Sequence, residues 1–136
     1  MKIVVDANVF FSALIREGLT RRMLFSAELI PYAPAFAVRE FLKHEETLFQ
    51  KYSGERQEFR ELTGILLERL NLVSDAELKP FLPAAKSFSP DQNDELYFAC
   101  ALYVNCGIWS NDKVLKKQNR VEVKTTGELA GELGYV

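Results

Sequence analysis

The run Ile3-Val4-Val5, followed at once by Asp6, constrains this chain more than any other feature. Three consecutive β-branched residues with no polar alternate suit a strand buried on both faces, as in a parallel sheet covered by helices. The pattern then turns helical through Val9, Phe10, Ala13 and Leu14. A strand running straight into a helix predicts an α/β fold, and the rest of the chain repeats the alternation. Pro31 to Pro34 brackets a short extended piece, Ile108-Trp109 is a minimal strand, and Val121-Glu122-Val123 is another. The spacing predicts helices over Thr20–Leu29, over Ala35–Phe49, and through Phe59, Leu62, Leu66 and Leu70. A short basic helix is expected over Lys113–Gln118, and a last one, capped by Thr125 or Thr126, ends near Gly134. Ser89-Pro90-Asp91-Gln92 reads as a capping serine, a first-turn proline and a glutamine three after the cap. The helix it opens carries Leu96, Ala99, Leu102 and Tyr103 and stops at Cys106-Gly107.

At 136 residues, 48% of them apolar, the chain reads as a single domain, 1–136, able to bury an ordinary core without metal or disulfide staples. Nothing repeats, and no linker divides it. The longest apolar-looking stretch, Met23 to Val38, contains Glu28, Pro31 and Pro34, so no membrane span is expected. Asp6 interrupts the uncharged core a signal peptide needs. Cys100 and Cys106 read as small buried apolar residues rather than a bridge, and the expected location is cytoplasmic. The aromatics Phe10, Phe11, Tyr97, Phe98, Tyr103 and Trp109, set among apolar neighbours, read as core rather than as stacking platforms. A net charge of −2 excludes binding nucleic acid by bulk charge alone.

The glycines form neither a GxGxxG fingerprint nor a phosphate loop, and no GxSxG elbow is present. One histidine and no clustered cysteines exclude the common zinc frameworks. What remains is acidic. Asp6 follows one strand and Asp112 follows another, so both belong at the carboxyl edge of the sheet, where open α/β folds bind ligands. Asp91 and Asp94, three apart at a helix start, share a face. Clustered acids repel and raise one another's pKa unless a hard cation compensates them, and oxygen-only ligation suits Mg²⁺ or Mn²⁺. The bland reading of each acid is a turn residue, a helix cap or a helix-start charge.

Four blocks carry a family resemblance. Ile3-Val4-Val5-Asp6-Ala7-Asn8-Val9-Phe10, with Ser12 beyond it, resembles the opening motif of PIN-domain ribonucleases, which include the VapC-type toxins of toxin–antitoxin pairs. Val38-Arg39-Glu40-Phe41-Leu42 resembles the family's glutamate-bearing helix, and Asp94 with Tyr97-Phe98-Ala99-Cys100-Ala101-Leu102 its aspartate before an Ala-rich helix. Trp109-Ser110-Asn111-Asp112-Lys113 resembles the fourth block, with a small hydroxyl residue two before an aspartate.

The resemblance implies a three-layer α/β/α sandwich with a central parallel sheet and an acidic pocket for Mg²⁺ or Mn²⁺. Asp6, Glu40, Asp94 and Asp112 would be its acids, with Asp91 a further candidate, and Asn8, Ser12 and Ser110 would support them. The implied chemistry is metal-assisted hydrolysis of single-stranded RNA. An antitoxin protein and a second copy of the chain are the implied partners. Basic residues beside the acidic blocks, Arg21, Arg22 and Lys113 among them, are candidates to hold phosphate. His44 lies one turn beyond Glu40 on the same helical face. Two other readings compete: a PIN-fold module that binds RNA or protein without cutting, and a haloacid-dehalogenase-like phosphatase. The phosphatase needs a second aspartate where Asn8 stands.

Overall fold

The computed structural model describes all 136 residues. Its strands are β1 (Lys2–Val5), β2 (Ile30–Pro34), β3 (Asn71–Val73), β4 (Gly107–Trp109) and β5 (Val123–Lys124), all parallel, in the order β3-β2-β1-β4-β5. On one face lie α1 (Ala7–Ile15), α2 (Leu19–Leu24), α3 (Ala35–Lys43), α4 (Glu45–Phe49) and α5 (Arg56–Arg69). The other carries α6 (Asp75–Leu78), α7 (Leu82–Phe88) and α8 (Glu95–Val104). A last helix, α9 (Thr126–Leu133), returns to the first face through Leu129 and Ala130.

The unalternated opening strand now has its physical reason. Ile3 and Val5 enter one apolar cluster, together with Trp109, Leu14 and Phe59, while Val4 enters the other with Phe98, Cys100 and Ile108. Every side chain of β1 after Lys2 is therefore out of water. The chain lays β2 and β3 outward on one side of β1, then crosses back to place β4 on the other. That reversal opens a crevice beyond the carboxyl ends of β1 and β4, the usual ligand position in a doubly wound sheet.

Several local expectations shift. The Ala35–Phe49 segment is two helices, broken at His44 (φ −106°, ψ 18°). Ser89 does not cap α8; its hydroxyl donates to Asp91 O, and Asp91 caps a single 3₁₀ turn over Gln92–Asp94 by accepting from Asn93 N at 2.9 Å. The Lys113–Gln118 segment shortens to a 3₁₀ turn, Lys113–Lys116, and the Gln118 side chain ties down the loop behind it at Leu115 O and Val121 O. That loop delays β5 to Val123. Thr125, not Thr126, caps α9, in a capping box with Glu128.

The end of α8 is set by Asn105, whose left-handed conformation (φ 61°) closes the helix. Gly107 serves a different need: a Cβ there would stand 2.8 Å from the carbonyl oxygen of Glu122. Both cysteines are free, Cys100 buried and Cys106 half-buried. No helix is long and apolar enough to cross a membrane.

Candidate functional site

Asp6 sits where β1 ends and α1 begins, 8% exposed. Its backbone N–H donates to Trp109 O at 3.1 Å, continuing the β1–β4 pairing by one residue. Its Oδ1 accepts from Asn8 N, so the same carboxylate caps α1. Its Oδ2 accepts a 2.7 Å hydrogen bond from the Ser110 hydroxyl. Ser110, also buried, accepts in turn from Asp112 N at 3.1 Å. Ser110 thus couples the end of β1 to the turn carrying Asp112, whose own carboxylate accepts from Val114 N and stays exposed. Asn111 pins this turn to α9, accepting from Thr126 N at 2.8 Å and donating to Thr126 Oγ1 at 3.0 Å.

Asp94 arrives from the other layer, at the last residue of the 3₁₀ turn before α8. Its carboxyl is pushed up to about 6, first by burial and then by the negative charges of Asp91, Asp112 and Asp6. Asp91, three residues earlier, and Asp6 and Asp112, from the far ends of the chain, all lie near enough to act on Asp94. Tyr97, expected in the core, packs against the second apolar cluster and also reaches the start of α1. Its hydroxyl accepts from Ala7 N at 3.3 Å, and burial followed by the Asp6 charge raises its phenol far above the usual range. Its position three residues after Asp94, one turn further along the chain, was the available signal.

Glu40 stands apart. It is held by Lys43 Nζ at 2.9 Å, and that bond lowers its pKa. It lines a cleft of ≈ 450 Å³ together with Asn8, Asn93 and Tyr97, whereas none of the aspartates lines that cleft. His44 lines the same cleft.

The outer candidates separate clearly. Arg21 is turned inward, donating from Nε to Ala13 O at 2.7 Å and from Nη2 to Leu14 O at 3.1 Å, which satisfies the last carbonyls of α1. Arg22 and Lys113 are exposed, Lys113 directly after Asp112. Ser12 is exposed on α1 and borders a polar cavity of ≈ 310 Å³ with Arg16, Thr20 and Thr126.

As the side chains stand, no group of three His, Cys, Asp or Glu residues is gathered closely enough to hold a metal ion. The chemistry of the donors still suits one. They are carboxylate oxygens without thiolate, the preference of a hard divalent cation, and Asp94 bears a repulsion that such a cation would relieve.

Comparison with known proteins bears on the family and the fold. No curated protein matches the sequence. Among solved structures, the chain superimposes on one chain of the crystal structure of VapBC2 from Rickettsia felis bound to a DNA fragment from their promoter. The TM-score is 0.70 at 14% identity, covering 92% of this chain and 98% of that one. At that identity the likeness is one of fold. A family profile described as the PIN domain matches residues 4–133, nearly the whole sequence, which leaves no room for the phosphatase reading. The chain therefore belongs to the PIN-domain family.

Proposed function

We propose that this PIN domain is a metal-dependent endoribonuclease that hydrolyses phosphodiester bonds of single-stranded RNA. The observation that carries the reading is the Ser110 bridge, which holds the buried Asp6 carboxylate beside the turn of Asp112 at the carboxyl edge of the sheet. The Asp94 carboxyl, raised first by burial and then by the charges of Asp91, Asp112 and Asp6, adds to it. Asp6, Asp94 and Asp112 would hold Mg²⁺ or Mn²⁺, with Asp91 and Glu40 completing the acidic set. A bound divalent cation supplies an activated water and neutralises charge developing on the phosphate. The chain's own residues do the positioning. Ser110 holds the Asp6 carboxylate in one orientation and the Asp112 backbone beside it. Asn8 and Ser12 support the α1 side of the site. Arg22 and Lys113 are free to hold phosphate, whereas Arg21 is already engaged with backbone carbonyls. In the cell we assign the chain the toxin role of a toxin–antitoxin pair, inhibited by a protein antitoxin and acting in the cytoplasm as a homodimer. The fold shared with VapBC2 supports that role.

One observation favours a second reading, a PIN-fold module that binds RNA or protein without cutting: three potential ligands are not gathered together. A cleavage assay on labelled single-stranded RNA separates the two. Cutting that needs Mn²⁺, stops in EDTA and is lost in Asp6→Asn supports the nuclease. Cutting that survives both chelation and substitution rejects this mechanism, and RNA binding without any cutting favours the module.

A further inference from the structure

Beside the acids lies the cleft between α1, α3, α4 and the start of α8. We propose that it seats an unstacked base of the single-stranded RNA, next to the phosphate presented to Asp6 and Asp94. The proposal rests on the ribonuclease reading and adds where, and through what chemistry, the substrate is held.

Its volume, ≈ 450 Å³, falls within the roughly 300–1,000 Å³ of small-molecule sites. Its walls combine flat aromatic surface with one lysine, Lys51. Phe36 stands in the first turn of α3 and is 41% exposed, a large ring left in water. Phe11 and Lys51 line it too, with Lys51 Nζ 5.6 Å from the Phe11 ring centroid, and the Arg39 guanidinium, outside the lining, lies 5.7 Å from the Phe36 centroid. Stacking surface paired with positive charge is the general means of holding single-stranded nucleic acid, because every base has a π face and every linkage a phosphate.

The charges in the cleft are disposed accordingly. Glu40 is paired with Lys43, and Arg39, just outside the lining, is held by Asp75 at 2.7 Å. None of the ion pairs engages Lys51, which leaves its ammonium for a phosphate. On a chain of net charge −2, such a locally placed cation matters more than any global field. The cleft is also continuous with the acids. Asn8 lines it while its backbone N–H bonds Asp6, and Asn93 lines it from the position preceding Asp94. Their amides bring donors and acceptors to the edge of a base. A purely apolar protein segment would leave Lys51 and both amides without partners.

The test is fluorescence anisotropy of a labelled single-stranded RNA oligonucleotide titrated with the full chain in Ca²⁺. Phe36→Ala should weaken binding about 5-fold or more, the low end of the loss from removing one stacking platform, and Lys51→Ala should weaken it in a salt-dependent way, as the loss of a phosphate contact does. Leu42→Ala, exposed on the same helix outside the cleft, should leave affinity unchanged. An oligonucleotide carrying one abasic site at the bound position should abolish the difference between wild type and Phe36→Ala. Equal affinities for wild type, Phe36→Ala and Lys51→Ala would overturn the proposal and leave the cleft to a protein partner. Failure of the wild type to bind RNA would overturn it as well. Binding that depends on Phe36 and Lys51 without Mn²⁺-dependent cleavage would reject the ribonuclease reading and keep the base seat. Cleavage with unmoved affinities would do the reverse.

Discussion

The Ser110 hydroxyl donates to Asp6 Oδ2 at 2.7 Å although 104 positions separate the two residues in the chain. Both are buried, and the same serine oxygen accepts from Asp112 N. A single small side chain therefore joins the first acidic block to the last. Ser110→Ala leaves a buried carboxylate oxygen and a backbone N–H without this partner, and it should cost about 1–3 kcal/mol. Chemical denaturation reads the loss. Asp6→Asn combined with Ser110→Ala should fall short of the sum of the single effects, because the two residues share one interaction.

The raised Asp94 carboxyl has a thermodynamic consequence. Between its ordinary value of 3.8 and its folded value of about 6, the folded chain binds more protons than the unfolded one. Stability from this group is therefore fully present below 3.8 and declines as pH rises through about 6. Thermal melts in EDTA across that window should show a downward contribution that disappears in Asp94→Asn. The variant should melt higher than wild type at neutral pH and lose RNA cleavage.

A divalent cation should act on the same repulsion. Mn²⁺ at about 100 times its dissociation constant stabilises a folded chain by roughly 2.7 kcal/mol. A rise in Tm with Mn²⁺ at neutral pH that shrinks in both Asp94→Asn and Asp112→Asn is the expected result. An identical rise in all three proteins would place the ion elsewhere.

Arg21 and Arg22 should part company. Arg21→Ala removes two hydrogen bonds from a charged donor to the end of α1, each worth about 1.5–3 kcal/mol, so the melting temperature should drop. Arg22→Ala removes an exposed charge and should leave the melt unchanged while lowering RNA affinity at low salt. Melting curves and salt-dependent binding on the pair check both halves.

Two glycines make a contrasting pair. Gly64 lies within α5, and a methyl group added at its Cα would meet nothing within 4 Å, so Gly64→Ala should stabilise by about 0.5–1 kcal/mol. Gly107→Ala meets the Glu122 carbonyl at 2.8 Å and should destabilise by about 1–3 kcal/mol. Urea midpoints measure both.

Local pattern in the amino-acid sequence was enough for part of this molecule. Ile3 to Val5 could only be a strand covered on both sides, and Asp6 had to emerge at its carboxyl end. The alternation of strands and helices set the layered fold, and Ser110 and Asp112 followed a second strand in the same way. Packing between distant segments settled the rest, because those outcomes depend on partners far away in the chain. β3 is three residues long with Asn71 and Leu72 exposed; it is a strand because β2 offers an open edge, and Asn71 Nδ2 donates to Pro31 O. Asp91 rather than Ser89 became the cap before α8, since the serine hydroxyl turned to the Asp91 carbonyl. The bond from Ala7 N to Tyr97, ninety positions on, is likewise a matter of packing. The charge on Asp94 belongs to this class above all. A carboxylate's proton affinity is set by the burial and the charges around it, and folding is what brings Asp6, Asp91 and Asp112 to its side.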